Sequence, residues 1–352
     1  MMMRVMTALM VLVPIALVLD LANIGGHSIV FVTSGLAMIP LAAYLGNATE
    51  QVAVYTGPKI GALLNATLGN AAELIITIIA LREGLTDVVK ASIAGSIIGN
   101  VLIVLGASFL LGGLKHGVQR FDAQTASVNA TMMALAVVAL VIPAVIASGG
   151  NMRPSDHHIE RLSDSMAIVL IIVYVLYLLF TLRGPGGSAK PAPEEHHTAS
   201  MKLPVAIGIL AAATIAIVVM SEILVGALEP TAQSWGLSEF FIGIMLVPLI
   251  GNIAEHLVAV QVALNDKMDL SLGIAMGSGL QIALFVTPVL VLAGWAMDTP
   301  ITLVFNNYEL MALIGATLIG LLVSVDGRSH WLEGAQLISL YVLIAIAFFF
   351  VP

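Results

Sequence analysis

Long apolar runs, separated by short charged or Gly- and Pro-rich stretches, constrain this chain more than any other feature. A membrane-spanning helix needs about 20 predominantly apolar residues. The chain of 352 residues is 59% hydrophobic and only 10% charged, which leaves too little polar surface for a soluble domain of this size. We therefore predict an all-α polytopic membrane protein with about eleven transmembrane helices. The apolar runs lie near residues 7–22, 28–48, 59–81, 86–113, 125–148, 164–183, 203–227, 238–264, 270–295, 301–324 and 331–351.

One short motif occurs twice inside these runs. Gly69-Asn70-Ala71-Ala72-Glu73 lies in the third run, and Gly251-Asn252-Ile253-Ala254-Glu255 lies in the eighth. An ionisable side chain inside a membrane costs at least ~2.5–3.5 kcal/mol, so a matched pair indicates function. Asn and Glu are three residues apart, which places both on one helix face. The Gly weakens the helix, and we expect freed backbone carbonyls to line a cavity there.

Other residues extend the repeat. Gly95-Ser96 and Gly277-Ser278 have the same separation along the chain as the two Glu residues. One run further on, Asn129 and Asn307 have a slightly shorter separation, which a single difference in loop length would give. The matched positions therefore follow each other in the same order in both halves of the chain.

These matches predict the domain organisation. A first transmembrane helix over residues 1–27 precedes one half of five spans over 28–183 and another over 202–352. Because five is odd, the second half enters the membrane from the opposite side. Such inverted repeats place their substrate at the midplane interface between the halves. Residues 184–201 are rich in Gly, Pro and Ser, and we expect a flexible cytoplasmic linker there.

Positive charges predict the orientation. With the N-terminus inside, nine Lys and Arg residues fall on inner loops and four on outer loops. The positive-inside rule then gives a cytoplasmic N-terminus and an external C-terminus. Arg4 and the first run resemble a signal peptide, but no convincing cleavage site follows, so we expect the run to be retained. We expect an integral protein of the prokaryotic cell (inner) membrane.

The two motifs predict a cation site. Two carboxylates bring the charge that a divalent cation neutralises, and Ca²⁺ accepts six to eight oxygens in irregular geometry. We therefore predict that Glu73, Glu255, Asn70 and Asn252 bind Ca²⁺. Helix–helix hydrogen bonding is the alternative role for the polar residues around them. The expected supporting residues are Gly69, Gly251, Ser96, Asn100, Ser278 and Gln281.

Two more ionisable residues in apolar runs are weaker candidates. His256 follows Glu255 directly, but neighbouring helical residues point about 100° apart. We therefore expect a packing or gating role for His256 rather than ligation. Glu309 lies in the tenth run and could line a route to the site.

The same two Glu residues provide a coupling mechanism. Apolar surroundings and a nearby like charge favour the protonated form of each carboxyl group. A divalent cation reverses that preference and expels the protons. Cation and protons then compete for the same oxygens, which is the minimum requirement for antiport. The expected partners are Ca²⁺, H⁺ and the lipid bilayer, with Ca²⁺ as transported substrate and no cofactor.

Other partners are constrained less strongly. The net charge of −8 argues against nucleic acid as a partner. The absence of cysteine excludes disulfides and thiolate metal sites. The oligomeric state stays open, and a homo-oligomer is one alternative.

These motifs resemble the calcium/cation exchanger superfamily, and within it the cation/proton exchanger (CAX) branch. The resemblance implies an eleven-helix fold, Glu73 and Glu255 as the acids that bind Ca²⁺ and H⁺, and mobile second and seventh segments that gate the site. Some relatives carry an acidic helix in the central linker, whereas here only Glu194 and Glu195 are present, so we do not expect that element to regulate this chain. The residues that carry the resemblance are GNAAEL at 69–74, GNIAEH at 251–256, Gly95-Ser96 with Gly99-Asn100, Gly277-Ser278 with Gln281, and Gly112-Gly113-Leu114-Lys115 through Gln119-Arg120-Phe121.

The expected activity is therefore exchange of cytoplasmic Ca²⁺ for external H⁺ by alternating access. A sodium-coupled calcium exchanger is the main alternative. That branch resembles a Pro-Glu arrangement with extra Ser and Thr, whereas Ala precedes each Glu here. A passive divalent cation channel is a further alternative. An intramembrane hydrolase is not expected, because the sequence has no HExxH or GxGD pattern, and we expect no enzymatic activity.

Overall fold

The protein is almost entirely helical in the computed structural model, which describes residues 2–149, 156–183 and 200–351. Apolar chain in a membrane must satisfy its backbone polar groups internally, and a helix does so within one segment. The described residues form helices α1 (Met2–Leu9), α2 (Leu12–Leu21), α3 (Gly26–Thr56), α4 (Pro58–Leu68), α5 (Ala71–Arg82), α6 (Thr86–Gly99), α7 (Leu105–His116), α8 (Ala123–Ser148), α9 (Asp156–Arg183), α10 (Leu203–Gly226), α11 (Leu228–Trp235), α12 (Glu239–Phe241), α13 (Val247–Leu264), α14 (Met268–Gln281), α15 (Thr287–Ala296), α16 (Asn307–Ser324) and α17 (Trp331–Phe349).

Ten continuous helical stretches in the described ranges are long and apolar enough to cross a membrane. They correspond to ten of the eleven predicted runs. The remaining run, residues 59–81, is divided between α4 and α5, so the count of eleven spans stays a prediction. The ten stretches are Arg4–Leu21, Gly26–Thr56, Thr86–His116, Ala123–Ser148, His157–Leu182, Leu203–Gly226, Glu239–Leu264, Met268–Ala296, Asn307–Ser324 and Trp331–Phe349.

Helix α5 of the divided segment α4–α5 packs against α10. Near the N-terminus of α10, the hydroxyl of Tyr55, just before α4, donates to the carbonyl of Met201 at 2.7 Å. Near the C-terminus of α10, Arg82 at the end of α5 forms an ion pair with Glu222 at 3.3 Å. The ends of the divided segment therefore lie at opposite ends of a helix that is long enough to span the membrane.

The two copies of the motif differ in backbone structure. In the first copy, α4 ends at Leu68 and α5 begins at Ala71. In the second copy, Gly251 and Asn252 lie inside the continuous helix α13. The expectation that Gly loosens the helix is therefore met at the first copy and is wrong at the second.

The second copy has its irregularity earlier, in a π-helical turn at Ile242–Leu246. Pro248 explains this turn, because proline has no N–H to donate to the carbonyl four residues back and its ring excludes that carbonyl. A second π-helical turn, Ile282–Val286, stands in the same relation to Pro288. A third π-helical turn is Asn100–Val104. It lies before Ile282–Val286 by the same number of residues that separates the two Gly-Asn-x-Ala-Glu motifs.

Helices α6 and α14 lie at the centre of the molecule. In the spans Thr86–His116 and Met268–Ala296, 72% of the most apolar window is buried, against at most 50% in the other spans. Helix α6 packs directly on the turn Ile242–Leu246, where a Cβ on Gly95 would overlap the carbonyl oxygen of Ile244. Helices α5 and α13, which carry the two Glu residues, pack against these central helices.

The connections cluster at the two ends of the bundle. At one end, strand β1 (Gln119–Arg120) pairs antiparallel with strand β2 (Arg328–Ser329). At the same end, Lys115 donates to the carbonyl of Leu264 at 2.7 Å. The predicted linker, 184–201, lies outside the described residues except for its last two. Of these, Ser200 donates its backbone N–H to Gln51 at 2.8 Å.

Replacing Gly95 by Ala should destabilise the fold, whereas the same change at its repeat partner Gly277 should not. The added methyl at Gly95 overlaps backbone, and overpacking of this kind costs ~1–3 kcal/mol. No atom of the described residues lies within 4 Å of a Cβ on Gly277, where Ala should add up to ~1 kcal/mol of helix stability. Thermal unfolding of both variants in detergent, followed by size-exclusion chromatography, measures the difference. Equal midpoints would contradict the close approach of α6 to Ile244.

Candidate cation-binding site

Glu73 lies in the first turn of α5 and is buried. Its Oε1 atom accepts hydrogen bonds from the hydroxyl of Ser96 on α6 and from Nδ2 of Asn252 on α13. Nδ2 of Asn252 also lies 3.2 Å from the oxygen of Ser96. Three helices from both halves of the sequence thus meet at one carboxyl group.

A second polar cluster adjoins Glu255 and has the corresponding residues. Ser278 on α14 donates to Oδ1 of Asn70 at 3.2 Å, and Asn100 donates to the oxygen of Ser278 at 3.1 Å. Nδ2 of Asn70 donates to Oε1 of Gln281. Ser278 contacts Asn70 as Ser96 contacts Asn252, with the two motifs exchanged. The direction of the hydrogen bond differs, because Ser278 donates to Asn70, whereas Asn252 donates to Ser96.

The glycines of the motifs bring the two clusters together. A Cβ on Gly251 would stand 2.7 Å from Cγ of Glu73, and a Cβ on Gly69 would stand 3.4 Å from Oε1 of Glu255. Each Gly therefore faces the Glu of the other motif. Larger residues at these positions would push the acidic side chains away from the opposing helix.

Each Glu residue keeps one buried oxygen atom uncommitted. Among the described residues, Oε2 of Glu73 and Oε2 of Glu255 have no hydrogen-bond partner. Buried polar atoms are nearly always paired in folded proteins, and an orphan atom calls for a ligand, a proton or a functional explanation. Two such atoms on reciprocally packed motifs provide the negative oxygens that a hard divalent cation requires.

The interruption of α4–α5 adds backbone polarity to the site. The carboxyl end of α4 carries partial negative charge and the amino end of α5 carries partial positive charge. Asn70 is the N-cap of α5, yet its side chain makes no capping hydrogen bond and contacts Gln281 and Ser278 instead. Asn70 therefore contacts the polar cluster instead of capping α5, although an uncapped helix N-terminus is less stable.

The two weaker candidates lie in different positions. His256 is buried beside Asn252 and Ser96 in a small cavity that Tyr341 also lines, and its Nε2 atom has no partner in the described part of the chain. Glu309 is not in the cluster. Its carboxylate accepts from the backbone N–H of Asn306 at 2.7 Å and completes a capping box at the N-terminus of α16.

The sequence did not predict the contact between Asn252 and the backbone of Pro248. The carbonyl oxygen of Pro248 accepts from Nδ2 of Asn252 at 3.1 Å and so fixes the direction of that amide. The available signal was a proline four residues before the motif Asn, in a run otherwise suited to a continuous helix.

The chain is similar to known proteins over almost its whole length. The chain is 47% identical to the "Ca(2+)/H(+) antiporter" of Aphanothece halophytica over 338 residues, which cover 92% of this chain and 90% of that protein. It is 44% identical to the "Ca(2+)/H(+) antiporter ChaA" of Bacillus subtilis over 330 residues, 92% of each protein. The solved structure of native YfkE superposes with a TM-score of 0.86 at 38% identity, over 100% of both chains.

The family described as sodium/calcium exchanger protein matches residues 27–183 and 205–350. These ranges include both Gly-Asn-x-Ala-Glu motifs and all of the polar side chains that surround them. The chain is therefore an integral membrane protein that belongs to the sodium/calcium exchanger family.

Proposed function

We propose that this protein is a secondary active transporter that exchanges cytoplasmic Ca²⁺ for external H⁺. The observation that carries the proposal is the pair of uncommitted buried oxygens on Glu73 and Glu255, set among amides and hydroxyls from both halves of the chain. The relatives named Ca²⁺/H⁺ antiporters, at 47% and 44% identity, support the same activity.

The transported Ca²⁺ binds between the two carboxylates. Amide and hydroxyl oxygens of the surrounding side chains, with backbone carbonyls and water, complete its irregular shell. The supporting side chains are neutral, so the charge of the site comes from Glu73 and Glu255 alone. The residues in supporting positions are Asn70, Asn252, Ser96, Asn100, Ser278 and Gln281.

Charge balance couples the two ions. The site is neutral with Ca²⁺ between two carboxylates, and it is neutral again when each carboxyl group holds a proton. With both carboxylates ionised and no cation, the site carries two buried negative charges, which a membrane interior strongly disfavours. The two neutral forms are therefore the ones that change their facing, and one Ca²⁺ exchanges for at least two protons.

Alternating access follows from the arrangement of the halves. Residues 28–183 and 202–352 act as inverted repeats that move against each other about the site, with residues 184–201 as the tether and 1–27 as an additional helix. The N-terminus faces the cytoplasm, the C-terminus lies outside, and the membrane is the inner membrane of a prokaryotic cell.

Glu73→Gln and Glu255→Gln should each abolish Ca²⁺/H⁺ exchange while the protein still folds. Gln keeps the shape of Glu but removes one of the two charges and cannot carry the proton. The matched control is Glu309→Gln, another buried carboxylate, where Gln can replace Glu in the capping box and exchange should persist. Ca²⁺ uptake into proteoliposomes under an imposed pH gradient measures all three. Near-normal exchange by either site variant would refute the two-carboxylate site.

Ca²⁺ affinity should fall steeply with acidification, approaching about a hundredfold per pH unit, because two protons compete for each Ca²⁺. Binding titrations at clamped pH in vesicles measure this slope. The companion measurement is Ca²⁺ flux driven by a Na⁺ gradient alone, which should be absent. Robust flux that survives collapse of the pH gradient would assign the protein to sodium-coupled exchange instead.

Single cysteines should reveal the orientation, because the natural chain contains none. A cysteine in place of Ser200 should react with a membrane-impermeant maleimide only from the cytoplasmic side, and one in place of Ser148 only from outside. Both positions are exposed, and the cysteine-free chain is the control. Exchanged sides would overturn the orientation. Reaction of both from one side would contradict the crossing of α9, the span between them.

A further inference from the structure

The segment from Gly112 to Phe121 contributes no side chain to the cation site, yet it is held rigidly. A Cβ on Gly112 would overlap the side chain of Gln119, and a Cβ on Gly113 would overlap the backbone nitrogen of Trp331. Gln119 in turn donates to the carbonyl of Ala263 at 3.0 Å. The two glycines thus permit a close approach that fixes strand β1 against α7, α13 and the start of α17.

The register of the two-stranded ribbon places two arginines side by side. Gln119 pairs with Ser329 and points inward, since both are buried; Arg120 pairs with Arg328, and both are exposed. Side chains directly opposite each other on antiparallel strands share a face, with Cβ atoms about 4.5–5.5 Å apart. Like charges in that position repel and destabilise the pair. An anion between the two guanidinium groups would remove the repulsion.

No carboxylate of the described residues lies within 4.0 Å of either guanidinium group. Within the described ranges, neither arginine side chain forms an ion pair or a hydrogen bond. The acids around the ribbon accept hydrogen bonds from other groups. Asp266 accepts from Nε2 of Gln119 at 2.8 Å, and Asp269 accepts from the backbone N–H of Asp122 at 2.5 Å. Asp326 accepts the backbone N–H of Arg328 at 3.0 Å. Asp122 caps α8; hydrogen bonds from the Thr125 hydroxyl and backbone hold its pKa below the usual range, so its carboxylate is ionised but is bonded to the first turn of α8.

The ribbon adjoins the ends of helices that are long and apolar enough to cross a membrane, which places it near the membrane surface. Strand β1 joins the spans Thr86–His116 and Ala123–Ser148, and β2 lies directly before the span Trp331–Phe349. Large apolar side chains beside the arginines are exposed, with 62% of Val118, 63% of Val325 and 49% of Trp331 accessible. Tryptophan at the end of a span favours the level of the lipid headgroups. Paired arginines beside exposed apolar groups match a molecule with an anionic head and an apolar tail.

We propose that Arg120 and Arg328 together bind the headgroup phosphate of an anionic phospholipid in the adjacent leaflet. The planar guanidinium groups each present two parallel donors to phosphate oxygens. The acyl chains lie against Val118, Val325 and Trp331. Because Gln119 connects the ribbon to the end of α13, the helix that carries Glu255, the bound lipid supports one wall of the transport site.

Tryptophan fluorescence tests this proposal in the full chain. The protein has three Trp residues, and Trp235→Phe with Trp295→Phe leaves Trp331, beside the ribbon, as the only reporter. The purified protein is placed in phosphatidylcholine vesicles that contain a small fraction of brominated phosphatidylglycerol or, for comparison, brominated phosphatidylcholine. Brominated phosphatidylglycerol should quench Trp331 at a much lower mole fraction, with a preference of about fivefold for each arginine.

Removing the paired charges should remove this preference. In Arg120→Gln/Arg328→Gln, the two brominated lipids should quench equally. In the matched control Arg4→Gln/Arg161→Gln, which loses two exposed charges elsewhere, the preference should persist. Equal quenching in the parent protein, or an unchanged preference in the ribbon variant, would overturn the proposal. Relief of quenching by millimolar glycerol phosphate would overturn it too, because the site would then bind soluble phosphate rather than lipid.

A charge-reversal variant distinguishes the loss of lipid binding from misfolding. Arg120→Glu places opposite charges across the ribbon, so thermal stability in neutral lipid should rise above that of the parent protein, and the preference for phosphatidylglycerol should vanish. A fall in stability with the preference intact would show that the two arginines do not repel each other and do not share an anion.

Discussion

The burial of two carboxyl groups inside a membrane protein is the constraint on which the rest of the structure depends. Such groups need polar partners, and no single helix can provide them. The partners of Glu73 come from α6 and α13, and the cluster that adjoins Glu255 comes from the π-helical turn after α6, from α14 and from the N-cap of α5. The central position of α6 and α14 and the close approach allowed by Gly69 and Gly251 follow from this requirement.

The exchange of partners between the motifs explains why the sequence carries two copies. Asn252 donates a hydrogen bond to Glu73, while Asn70 lies in the cluster beside Glu255, so neither half assembles both clusters by itself. The backbones nevertheless differ, with a break at the first copy and a π-helical turn before the second. Similar sequences thus adopt two local structures, and tertiary contacts decide which one each copy takes, because helix propensity is only a weak constraint.

Much of the fold and part of the candidate site could be predicted from the sequence, and physical reasons explain both what could be predicted and what could not. Hydropathy predicted eleven spans, ten of which are continuous apolar helices in the described residues, because a membrane requires long apolar helices. Buried charge in matched sequence settings singled out Glu73 and Glu255. The exchange of partners was not predictable, since it depends on how distant helices meet. The role of Glu309 could have been anticipated, because Asn306 stands three residues before it, as in a capping box. The pairing of Arg120 with Arg328 could not be predicted, because the register of two strands of two residues each cannot be read from the sequence.

Neutral side chains around the two acids have a consequence for the proposed exchange. A third acid nearby would leave one uncompensated negative charge when Ca²⁺ is bound, and three protons would then be needed for a neutral return. A single acid would leave the Ca²⁺ form positive. With two acids among amides and hydroxyls, one divalent cation and two protons bring the site to the same net charge. In the proposed exchange, the composition of the cluster therefore gives two occupied states of equal net charge. These two states cross the membrane at comparable electrostatic cost, which couples the movement of Ca²⁺ to that of the protons.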